Sequence, residues 1–183
     1  MAVFTIAKNK SGEMQKYKLE KDLERLVHYC CDKSKHMSIE NLYPYDDTDT
    51  LVDQFLYLQK CRGGTLNSRA VHYIFSFFHS EFKSKDKFSE ACKCLELLSA
   101  FYFSEYQHIA CLHTDKKDRF DFHIIINPVR IRDLKIYHCS PEEFRNMMND
   151  IAYVLFYTHR ISLYPFTYIT EDGVMHYGQS DYK

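Results

Sequence analysis

Residues 106–113, YQHIACLH, and 120–129, FDFHIIINPV, are two runs rich in β-branched and aromatic side chains, joined by the charged stretch TDKKDR. Two such runs around a short polar link form an antiparallel hairpin. Side chains alternate faces along a strand, so Asp121, His123, Ile125 and Asn127 share one face. With the turn centred near Lys117, His113 lies opposite Asp121, at the roughly 5 Å spacing of cross-strand partners. His113, Asp121 and His123 then converge, with Asp115 near the edge. Two imidazoles and a carboxylate with open positions suit a divalent ion that must also hold a substrate oxygen. The same residues have a plainer reading. A histidine at a strand end is often a hydrogen-bonded, half-buried side chain, and TDKKD is an ordinary solvated turn.

The rest of the chain supplies elements around this hairpin. AVFTIAK, residues 2–8, and AVHYIFSFF, residues 70–78, read as strands. Leu19, Leu23, Leu26, Val27 and Cys30 form one stripe of a helix over 18–33. Asp49 or Thr50 caps a helix running to about residue 60. Phe88, Ala91, Cys92, Leu95, Leu98 and Tyr102 place an amphipathic helix over 85–103. Ser140-Pro141-Glu142-Glu143 combines a cap, a proline at the first helical position and a capping-box glutamate. The helix it starts runs to about residue 158 and buries Phe144, Met147, Met148, Ile151 and Leu155. The tail from Ser162 has no strong pattern. These elements imply an α+β sandwich, with a largely antiparallel sheet and helices packed on it.

At 183 residues and 45% hydrophobic content the chain suits one domain with a sizeable core. No apolar run approaches the length of a membrane span, and the N-terminal apolar run is too short for a signal peptide. Seven cysteines without CxxC spacing point to reduced thiols in a cytoplasm. A net charge of −1 makes no case for nucleic acid by itself, although some of the fifteen Tyr and fourteen Phe could stack on bases. CRGG lacks the spacing of a phosphate-binding loop.

His113-Thr-Asp115 followed by Asp121-Phe-His123-Ile-Ile-Ile-Asn127 resembles the HxD…HxHxxxN signature of relaxases, the mobilisation nucleases of plasmids and conjugative elements within the HUH endonucleases. VHYIFSFFHSEF, 71–82, is similar to the family's second motif, with Ser76-Phe77 as its Ser-Phe pair. LERLVHYCCDKSK, 23–35, resembles the helix that carries the nucleophilic tyrosine, which places that role on Tyr29. The resemblance spans roughly residues 1–160 of a single domain, leaving 161–183 as a short tail. One position departs: Asp121 stands where the family usually has His, and a carboxylate is still a ligand for Mg²⁺ or Mn²⁺.

The resemblance implies a HUH-type two-layer sandwich in a bacterial cytoplasm, with single-stranded DNA at a transfer origin as partner. It also implies relaxosome accessory proteins and a secretion coupling protein. The implied activity is nicking and rejoining through a 5′-phosphotyrosine. Tyr29 is then the nucleophile, with Tyr17 the other candidate. Arg25 and Lys33, one turn before and after Tyr29, attract phosphate and favour the phenolate. His113, Asp121 and His123 hold Mg²⁺ or Mn²⁺. Asp115 orients a ligand or helps activate the tyrosine, and Ser76 contacts DNA. Asn127 hydrogen-bonds a ligand or, more simply, the backbone. His72 and His79 receive no role, and His108 points to the opposite face of the sheet. The alternative is a DNA-binding accessory protein whose site has decayed.

Overall fold

The computed structural model describes residues 3–6, 15–43, 47–161, 168–171 and 174–177. In chain order its elements are β1 (Val3–Ile6), α1 (Glu20–Asp32), β2 (His36–Glu40), α2 (Thr48–Arg62), β3 (Val71–Phe78), α3 (Lys87–Phe103), β4 (Tyr106–His113), β5 (Arg119–Arg130), α4 (Pro141–His159), β6 (Tyr168–Glu171) and β7 (Val174–Tyr177). β1 to β5 form a five-stranded sheet in the order β1-β3-β5-β4-β2, and every pair in it is antiparallel. The β4–β5 hairpin lies at its centre, with His113 directly opposite Asp121.

The alternation of β5 decides how the layers form. Phe120, Phe122, Ile124 and Ile126 pack with Tyr73, Phe75 and Phe77 of β3 against α3 and α4. Ile125, with Ile109 and Cys111 of β4, packs instead under Leu23, Leu26, Val27 and Cys30 of α1 and Leu51, Val52 and Phe55 of α2. The antiparallel α+β sheet expected from the sequence is what forms. Helices lie on both of its faces, α3 and α4 on one and α1 and α2 on the other. The reason is in β5 itself, whose two sets of alternating side chains both carry residues that need burial.

Helix starts follow from side-chain capping. Ser140 and Glu143 make the expected reciprocal box, with Ser140 N donating to Glu143 Oε2 at 2.6 Å and Glu143 N donating to Ser140 Oγ at 3.2 Å. α2 is capped two or three residues earlier than expected, by Asp47, whose carboxylate accepts from Thr50 N at 2.8 Å. Three strands lay outside the sequence reading. β2 is a short edge strand with only Met37 and Ile39 as alternating apolar residues, and among the described residues β6 and β7 pair only with each other.

Asn127 ties α2 to this sheet. It is fully buried, and its Nδ2 donates to Phe55 O at 3.1 Å and Gln107 Oε1 at 2.8 Å. Its Oδ1 accepts from Gln59 Nε2 at 3.3 Å and Val129 N at 3.2 Å. Asn127→Ala strands these buried partners and is expected to cost about 2–4 kcal/mol, read as a lower urea midpoint. An unchanged midpoint would contradict the tie.

Candidate active site

The polar residues of the α1/α2 face gather where β4 and β5 meet the C-terminal end of α1. The rings of His113 and His123 lie 4.3 Å apart between centroids. His113 Nε2 donates to the carbonyl of Cys30 at 2.7 Å. A carbonyl can only accept, so this bond fixes the proton on Nε2 and leaves a lone pair on Nδ1. The bond also anchors the last turn of α1 to the site.

That anchoring places Tyr29 over both histidines. Its ring is 5.8 Å from His113 and 5.9 Å from His123, edge-on to each. At 46% exposure it forms the open side of the site, whereas both histidines are buried. Lys33 Nζ lies 4.4 Å above the Tyr29 ring, and Arg25 is exposed one turn earlier on the helix. The expectation that these cations favour the phenolate is corrected. Partial burial raises the Tyr29 pKa, and its electrostatic interactions with Cys30, Asp115 and Asp121 raise it further. Lys33 sits over the ring face, where it binds the aromatic quadrupole.

Asp121 accepts from Ser76 Oγ at 2.5 Å, and Arg119 Nε lies 3.4 Å from the same oxygen, Oδ1. Ser76 is its cross-strand partner on β3, as His113 is on β4. Asp115 is exposed in the β4–β5 connection. His108 faces the other side of the sheet, where its Nδ1 lies 3.1 Å from Phe103 O.

His72 belongs to this cluster, although its motif pointed only to Ser76. The alternation of β3 puts His72, Ile74 and Ser76 on one face, so the signal was present once Ser76 was placed opposite Asp121. His72 Nε2 lies 2.9 Å from His123 Nδ1, and its Nδ1 lies 3.0 Å from the Tyr17 hydroxyl. Burial, with a smaller contribution from the charge of His113, pushes the His72 pKa down to about 4. Burial, then the charges of His72, His113 and Lys33, pushes His123 down to about 2. Both imidazoles are therefore neutral at pH 7 and in the state that binds metals. Among the described residues, potential ligand atoms close to within 4.8 Å of one another in two groups, Cys30, His72 and His123 here and Glu24, His28 and Asp49 on α1 and α2; His113, Asp121 and His123 do not close to that distance as a set.

The sequence family described as "Relaxase: MobA/VirD2-like, nuclease domain" matches residues 29–153, more than half of the chain and most of this site. The chain belongs to this relaxase family. Among solved structures, its fold is similar to that of the MobM relaxase domain (MOBV; Mob_Pre) bound to 26-nucleotide pMV158 oriT DNA. The TM-score is 0.57 at 12% identity, covering 100% of this chain and 99% of that one. No curated protein matches it.

As a relaxase nuclease domain the chain carries a DNA-nicking fold. The residue types suit a divalent ion: imidazoles of β4 and β5 share a sheet face with the Asp121 carboxylate, which pairs across the hairpin with His113. Among the described residues, no helix is long and apolar enough to cross a membrane.

Proposed function

We propose that this relaxase domain nicks and rejoins one DNA strand at a transfer origin through Tyr29, with Mg²⁺ or Mn²⁺ held by His113, Asp121 and His123. The observation that carries this reading is the Tyr29 ring, exposed and within 6 Å of both histidine rings.

The ligand atoms follow from the bonds already made. His113 keeps a lone pair on Nδ1, Asp121 meets Ser76 and Arg119 through Oδ1 and so keeps Oδ2, and His123 turns Nε2 away from His72. A bound ion would neutralise the non-bridging oxygens of the scissile phosphate and help orient it for in-line attack.

The chain's own residues account for the rest. The Tyr29 hydroxyl attacks phosphorus, forming a bond to the 5′ phosphate as the P–O3′ bond breaks, and the 3′ oxygen leaves taking a proton from water. Because the Tyr29 phenol is held neutral, its proton must be removed as attack proceeds. Asp115 is the nearby exposed carboxylate suited to accept it. In this reading Lys33 and Arg25 flank the approach of the strand and Ser76, which donates to Asp121, contacts the DNA beside it. Asn127 acts through the sheet. The partner is single-stranded origin DNA, in the company of relaxosome accessory proteins and a secretion coupling protein in a bacterial cytoplasm.

One observation favours a second reading. Asp121 lies between Ser76 and Arg119, so an ion must compete with an existing ion pair for its carboxylate. A site that loses this competition leaves a DNA-binding accessory module.

Supercoiled DNA carrying the sequence that flanks the gene, incubated with protein and Mn²⁺, separates the two. The nuclease reading expects a nicked circle with protein on the 5′ end. Metal-independent binding without nicks would favour the accessory module.

A further inference from the structure

His72 and Tyr17 continue from His123 as a chain of polar contacts, His123 Nδ1 to His72 Nε2 and His72 Nδ1 to the Tyr17 hydroxyl. Tyr17 is pinned to the segment leading into β3, because its backbone N–H donates to Ser68 Oγ at 3.0 Å and its carbonyl accepts from Arg69 N at 2.7 Å. The His72 and His123 rings meet edge to edge, with centroids 5.1 Å apart and planes inclined at 29°. All three side chains are buried.

A neutral imidazole carries one N–H and one lone pair. A hydrogen bond between two ring nitrogens therefore has one of two polarities. If His72 Nε2–H donates to His123 Nδ1, the His123 proton sits on Nε2, and no lone pair faces the site. If His123 Nδ1–H donates to His72 Nε2, the lone pair of His123 is on Nε2, where an ion can use it. His72 then carries its own proton on Nδ1 and donates it to the Tyr17 oxygen.

We propose that Tyr17 and His72 are positioning residues that set the tautomer of His123. In the ion-holding state the protons run from His123 Nδ1 to His72 Nε2 and from His72 Nδ1 to the Tyr17 oxygen. The inference rests on the reading that His113, Asp121 and His123 hold the ion. It gives His123 the outer-shell acceptor that metal-binding histidines commonly have, here a second histidine. The competing arrangement makes His72, His123 and Cys30 ligands of one thiol-containing site. Using the facing nitrogens of both rings, that arrangement would give up the hydrogen bond between His72 Nε2 and His123 Nδ1 at 2.9 Å.

Mn²⁺ calorimetry and histidine tautomers together test the relay. His72→Phe keeps an aromatic ring but cannot accept a proton bond, and its Mn²⁺ affinity falls about 10- to 100-fold. His72→Gln offers a carbonyl oxygen and recovers most of that loss, while Cys30→Ala leaves the affinity unchanged. Long-range ¹H–¹⁵N spectra of histidine-labelled protein saturated with Mg²⁺ show the proton on Nδ1 of His123, Nδ1 of His72 and Nε2 of His113. Equal losses in His72→Phe and His72→Gln, a loss in Cys30→Ala matching that in His72→Phe, or an Nε2–H on ion-loaded His123 would each overturn the relay. The underlying metal reading would survive if wild type still bound Mn²⁺. A wild type that binds no Mn²⁺ removes that reading, and the relay with it.

Discussion

Tyr29→Phe is expected to abolish the covalent protein–DNA adduct while leaving the affinity for single-stranded origin DNA within about twofold. The substitution removes one oxygen and keeps the ring that lies edge-on to His113 and His123. DNA binding depends on the surrounding cations and strand contacts, which remain. The chemical step loses its nucleophile, a loss of roughly 10³-fold or more. Denaturing electrophoresis of labelled oligonucleotide shows the adduct, and filter binding gives the affinity. An adduct surviving in Tyr29→Phe would move the nucleophile elsewhere. Tyr17, the other candidate from the sequence, is buried and faces His72, so it is poorly placed to meet a strand.

Acid is expected to destabilise the metal-free protein steeply. An unfolded chain takes up a proton on each imidazole near pH 6.5. Folded His72 resists until about pH 4 and folded His123 until about pH 2, because both are buried. Above pH 6.5 both states are neutral and the contribution is constant. Below it the unfolded state binds more protons, so stability falls as pH falls through this window. The loss is about 2 kcal/mol per histidine between pH 6.5 and 5, large against a domain stability of about 5–15 kcal/mol. Urea unfolding with a chelator at pH 7 and pH 5 measures it, and His72→Gln should remove one histidine's share. Equal midpoints at the two pH values would contradict the burial of two neutral imidazoles.

The hairpin was legible because its pattern is local. Alternation in FDFH and a short charged link fix both the face and the register, and His113 does lie opposite Asp121. Ser140 and Glu143 likewise carry their capping chemistry within four residues. His72 escaped because its partners, Tyr17 and His123, are 55 and 51 residues away, and only the β3–β5 register brings them together. The Tyr29 phenol was misjudged for a related reason. Helical spacing puts Lys33 on its side, but the tertiary fold adds partial burial and the nearby carboxylates, which together prevail. β2 was missed because an edge strand of five residues has little pattern of its own and forms by pairing with β4.

The central claim is that His113, Asp121 and His123 hold a divalent ion beneath Tyr29. Titrating Mn²⁺ into the purified protein by calorimetry, beside His123→Ala and Asp121→Ala, tests it most directly. Saturable binding at one site in the wild type, lost in both variants, is the expected result. No saturable binding by the wild type, even with single-stranded DNA present, would contradict the account and leave the accessory DNA-binding module as the better one.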